Sequence, residues 1–64
     1  MCEANVFLLR GGEKEEVMRA AVEVRDEGDV VVVVGMLGKR IEVPGARIVG
    51  VDIHDHEVLL MPRG

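Results

Sequence analysis

Val30-Val31-Val32-Val33-Val34, entered from Asp26-Glu27-Gly28-Asp29 and left at Gly35, decides how this 64-residue chain is read. Five β-branched residues in a row are stiff at χ1 and prefer the pleated backbone, so the run predicts a strand. The segment before it is a turn, because Gly supplies positive φ and Asp caps its own backbone. A strand with one wet face would alternate, whereas both faces here are apolar. One face is therefore expected to line a core, and the other to lie under a loop or a second subunit. Left bare, such a run would be an aggregation hazard.

Shorter segments with turn signals between them flank this strand. Downstream, Leu37-Gly38-Lys39 reads as a tight turn into Arg40 to Val43, where Ile41 and Val43 alternate with Arg40 and Glu42. Pro44-Gly45 breaks the chain. Val49, Val51 and Ile53 then share one face, His54-Asp55-His56 reads as a hairpin loop, and Val58 to Met61 close the sequence. Upstream, Cys2 to Leu9 is mostly apolar and ends at Gly11-Gly12. Between that turn and the valines, Met18, Ala20, Val22 and Val24 alternate with Arg19, Ala21, Glu23 and Arg25, a period-two pattern. The stretch Glu13 to Glu27 is also rich in helix formers, and Val17, Ala21 and Val24 would share a helical face. The strand is preferred because its match is longer and because a helix would remove a partner from the valine run. Even spacing and short loops predict a single all-β domain over residues 1–64. It is expected to be a meander curled into a small barrel of about five to six short antiparallel strands, of SH3 or Sm size.

Length makes association expected. A chain of this size buries only about 60% of the surface it exposes when unfolded, yet 48% of its residues are hydrophobic. A single cysteine excludes an internal disulfide, which leaves metal binding or a partner copy as sources of stability. The longest apolar run is far short of the roughly 20 residues that span a bilayer, and no basic n-region with an apolar h-region opens the chain. A reducing cytoplasm, where a free thiol persists, is the expected compartment, with no membrane partner.

Composition also excludes chemistry. Ser, Thr, Tyr, Trp and Gln are absent, so hydroxyl nucleophiles, phenolic acids and P-loop phosphate cradles are excluded. The carboxylates of Glu13, Glu15 and Glu16 and of Asp26, Glu27 and Asp29 cluster beside turns and read as solvated loops. No enzymatic activity is expected. Cys2 is the first candidate for metal binding, since thiolate and nitrogen donors suit late first-row metals and a planar set suits Ni(II) or Cu(II). Its bland alternative is a small buried hydrophobe. His54 and His56 are the second candidate, because residues at i and i+2 on a strand point the same way, although in a turn they do not. Nucleic-acid binding is the rival function. Lys39 and Arg40, with Arg47 and Arg63, would form its basic patch, against a net charge of −4 and with Phe7 as the sole aromatic ring.

The opening Met1-Cys2-Glu3-Ala4-Asn5-Val6 is distinctive, and it resembles the start of CooT-like proteins, small accessory proteins linked to nickel delivery for carbon monoxide dehydrogenase. The Leu37-Gly38 turn, Gly45 before Ile48, and Asp55-His56 before the last strand extend the likeness along the chain. The resemblance implies a homodimer in which Cys2 ligates Ni(II), with a client metalloenzyme as partner. Members are also labelled predicted RNA-binding proteins, which keeps the Lys39, Arg40 and Arg47 surface in view. A structural interaction module with an incidental cysteine is the third expectation.

Overall fold

The structure is a computed structural model that describes residues 3–64. The described residues form one six-stranded sheet: β1 (Ala4–Arg10), β2 (Glu13–Asp26), β3 (Val30–Gly35), β4 (Arg40–Pro44), β5 (Ala46–Asp52) and β6 (Glu57–Pro62). A short 3-10 turn, Met36–Gly38, joins β3 to β4. The spatial order is β4-β3-β2-β1-β6-β5. The first four strands are therefore a meander, and the β5–β6 hairpin is added on the far side of β1.

That addition departs from the all-antiparallel expectation, because β1 and β6 run parallel, Val6 beside Val58 and Leu8 beside Leu60. The chain reaches β5 through Gly45 alone, although β4 and β5 are opposite edges of the sheet. Consecutive Cα atoms lie 3.8 Å apart, so the two edges must meet there, and the sheet has to curl into a half-barrel. Gly45 holds this junction at φ +68, a left-handed conformation that suits a residue without a side chain. Its amide donates to the Asp29 carbonyl at 2.8 Å and its carbonyl accepts the Arg63 amide at 2.6 Å.

The curl also depends on β2. Fourteen residues fully extended would reach about 45 Å, whereas the longest dimension of the molecule is 33 Å. Three register shifts take up the difference, two against β1 and one against β3. Each places an extra residue on β2 and bends the strand. Ala20 sits at one of them with φ 60, and its amide is held by the Asn5 side-chain oxygen at 3.0 Å. The bulges overturn the simple alternation read from sequence. Met18 and Ala21 face the core, Val22 is exposed, and Val24 packs back against the core.

Positive φ strains any residue with a Cβ by about 1–2 kcal/mol. Ala20→Gly is accordingly expected to stabilise the fold by roughly 0.5–1 kcal/mol, read as a rise of a few degrees in a thermal melt. A fall in Tm would mean that the Ala20 methyl contributes more by packing than its backbone costs.

Val6, Leu8, Met18, Ala21, Val31, Val33, Val58 and Leu60 fill the inside of the curl. The valine run behaves as expected on this inner face. Its outer face differs from expectation, because Val32 is 0% exposed in a single chain. It lies directly between Arg25 and Glu42 in the cross-strand register. Arg25 pairs with Glu23 and Glu27, and Arg40 with Glu42. Long charged side chains lay their aliphatic stems over apolar surface, so these residues, rather than a loop or a second subunit, cover the outer valine.

Candidate functional site: a slot along the open seam

The two walls of the curl meet closely at one end and part at the other. At the closed end, the Asp26 carboxylate accepts the Gly28 amide at 2.9 Å and the Arg63 guanidinium at 3.0 and 3.2 Å. These contacts, led by the Gly28 amide and joined by the Ile48 backbone N–H, hold the Asp26 carboxyl below its usual pKa. Because the folded state binds this proton less readily than the unfolded chain, the contribution is fully present above the ordinary carboxylate range. It is lost as pH falls through the lowered folded value. Asp26→Asn should therefore flatten the acid limb of the stability curve below about pH 4. Urea titrations at pH 7 and pH 3 test this, and an acid limb equally steep in both proteins would assign the sensitivity elsewhere.

At the open end, β2 and β5 diverge around a cavity of about 340 Å³. Ala4, Ala21, Val22, Val24, Ile48, Val51, Ile53 and Val58 form its apolar walls, and Glu3, Glu23, Asp52, His56 and Glu57 its rim. Glu23 is shared with Arg25 at 3.1 Å and Glu57 with Lys14 at 3.1 Å. The Asp52 carboxylate accepts the Asp55 amide at 2.9 Å, which shapes the β5–β6 turn. That turn is fastened to β1 by the Asn5 amide, which donates to the His56 carbonyl at 2.8 Å.

The metal candidates from the sequence separate here. Cys2 lies outside the described residues; the next residue along the chain, Glu3, lines the slot together with His56. The histidines do not act as an i, i+2 pair, because they lie in a turn and His56 has φ 57. The His54 side chain is 97% exposed and leans on Asp55 at 3.1 Å, whereas His56 borders the slot. Among the described residues, no group of three or more His, Cys, Asp or Glu side chains is placed to hold a metal ion.

The nucleic-acid candidates are dispersed. Arg40 donates to Glu42 at 2.7 Å, which raises its pKa further, with Glu27 and Glu23 adding negative charge nearby. Lys39 borders a separate hollow with Glu16 and Arg19, and Arg47 lies on β5. Arg63 is committed to Asp26. The single aromatic ring, Phe7, is covered by the Lys14 ammonium 4.5 Å from its centroid. No helix among the described residues is long and apolar enough to cross a membrane.

A curled half-barrel with an apolar slot along its seam places the chain among small β-barrel-like proteins. The model of the family "CO dehydrogenase accessory protein CooT" matches residues 1–61. The chain belongs to the CooT family. Its fold is similar to the crystal structure of a provisionally assigned CooT from Carboxydothermus hydrogenoformans. The TM-score is 0.83 and the identity 24%, over 98% of this chain and 100% of that one. No functionally curated protein matches the sequence.

The slot residues were the part that sequence reasoning missed. Simple alternation puts Val51 and Ile53 on one face together with Val49, but the β5 register shifts between Ile48 and Gly50. Val51 then faces inward opposite Val58, and Gly50 faces out beside Leu59. The available signal was the excess of aliphatic residues in the last third of a chain with few positions left to bury them.

Proposed function

We propose that the protein carries a divalent transition metal, Ni(II) first, as cargo for a CO dehydrogenase, binding it through the Cys2 thiolates of two protomers. Membership of a family of CO dehydrogenase accessory proteins supports the client. The observation that carries the metal is Cys2 itself. It is the only thiol in the sequence and precedes Glu3 on the wall of a slot that His56 also borders. Thiolate with backbone or terminal nitrogen is a donor set that suits Ni(II). His56, and less readily the solvent-exposed His54, are the reserve ligands. The role is binding and delivery rather than catalysis, in a reducing cytoplasm where the thiol stays free.

One thiol per chain is what makes a homodimer part of this reading, since two protomers are needed to offer a metal two sulfurs. RNA binding is the lesser reading. The pairing of Arg40 with Glu42, the Lys14 cover on Phe7 and the net charge of −4 all weigh against a basic stacking surface.

Calorimetric titration of Ni(II) into the full chain, run beside sedimentation, tests the proposal. The expected result is one metal per two chains, with dimer formed or strengthened on loading. A stoichiometry of one per chain without association would contradict the shared site.

A further inference from the structure

We propose that the open slot is the docking site for an extended segment of the client enzyme, one that carries an aliphatic side chain flanked by lysine or arginine. This rests on the accessory role and is independent of the metal. The first reason is apolar exposure. Val22, Val51 and Ile53 are 48%, 61% and 79% exposed, yet they line one slot instead of being scattered singly over the surface. Exposed aliphatic residues scattered singly need no explanation, whereas three gathered around one slot do.

The rim decides the sign of the partner. Glu3, Glu23 and Asp52 border the aliphatic residues, and no Lys or Arg is among the described residues that line the slot. Screening at physiological salt acts over about 8 Å, so cations flanking an anchor seated between these carboxylates would be held. A second copy meeting this surface by a two-fold axis would set acid against acid, because such a contact is self-complementary by symmetry.

The backbone decides the shape. Among the described residues, Glu23 to Asp26 pair only with β3, and β5 pairs only with β6. Ile48 and Val51 of β5 line the slot together with Val22 and Val24 of β2, so β5 faces β2 across the seam. Unpaired strand edges are templates for strand addition, in which main-chain hydrogen bonds give affinity and side-chain pockets give specificity. The Asp26–Arg63 and Asp29–Gly45 links close the far end of the seam, so the segment enters from the Val22 and Ile53 end.

The test uses the full, isotope-labelled chain and a capped synthetic peptide, Lys-Lys-Ile-Val-Ile-Lys-Lys. Amide shifts are expected at Val22 to Val24 and Val49 to Ile53. Ile53→Asp, and separately Glu23→Lys with Asp52→Lys, should each weaken binding by roughly tenfold or more, with circular dichroism confirming the fold. Leu37→Ala should leave the affinity unchanged. Cys2→Ala without metal should also bind the peptide normally, so failure of the metal site and failure of this proposal are separable. Equal affinity for Lys-Lys-Gly-Gly-Gly-Lys-Lys would overturn the proposal as mere charge attraction. So would absent binding, shifts confined to other surfaces, or concentration-dependent slot shifts without peptide, which would assign the slot to a second copy.

Discussion

Cys2→Ala is expected to weaken Ni(II) binding by more than about 100-fold, since even outer partners of metal ligands are worth 10–100-fold and Cys2 is proposed as a direct ligand. The loss should be accompanied by disappearance of a sulfur-to-metal charge-transfer band. The fold should persist, because β1 begins at Ala4 and the core is built from Val6 onward. A pH series gives the same residue a second signature. A free thiol titrates near pH 8.5, so at neutral pH each thiolate must be formed against protons. Affinity should fall about tenfold per pH unit for each thiol that ligates, and binding should release protons. Two thiols per metal predict a slope twice that of one. Unchanged affinity in Cys2→Ala would move attention to His56, which borders the same slot.

Leu60→Ala is expected to remove about 2–5 kcal/mol of stability. Leu60 is 0% exposed on β6, between Leu8 of β1 and Ile48 of β5, where the parallel pairing joins the hairpin to the meander. A domain of 64 residues has roughly 3–10 kcal/mol in total, so this single truncation takes a large share of it. Urea unfolding should show a lower midpoint at an unchanged slope, and the melting temperature should drop by about 10–30 °C. Leu37→Ala provides the contrast. Leu37 is 106% exposed at the tip of the β3–β4 turn, and its truncation should cost less than about 0.5 kcal/mol. Equal losses in the two variants would mean that the core is not where the structure places it.

Much of this fold could be read from the sequence. The valine run, its preceding turn, the His54-Asp55-His56 hairpin and the break at Gly45 report themselves through stiff side chains and positive-φ residues, which are local properties. The segment from Glu13 to Glu27 was ambiguous for a physical reason. The bulges on β2 add residues to one strand, so its inward positions Ala21 and Val24 fall three apart, as on a helix. The parallel β1–β6 pair could not be read, because it joins residues about fifty positions apart and leaves no periodic trace. Nor could the slot, which lies between β2 and β5, strands separated in the sheet order and brought to face each other only by the curl. Cys2 was legible by chemical type alone, as the single soft donor. His56, by contrast, gained its place beside Glu3 only through the Asn5–His56 hydrogen bond that folds the turn against β1.

Sulfur ligation of the cargo metal is what separates the proposed function from its alternatives. X-ray absorption at the nickel edge of the Ni(II)-loaded full chain tests it most directly. A sulfur shell is expected in the scattering, present in the wild type and gone in Cys2→Ala. A first shell of nitrogen and oxygen alone in the wild-type protein would contradict it.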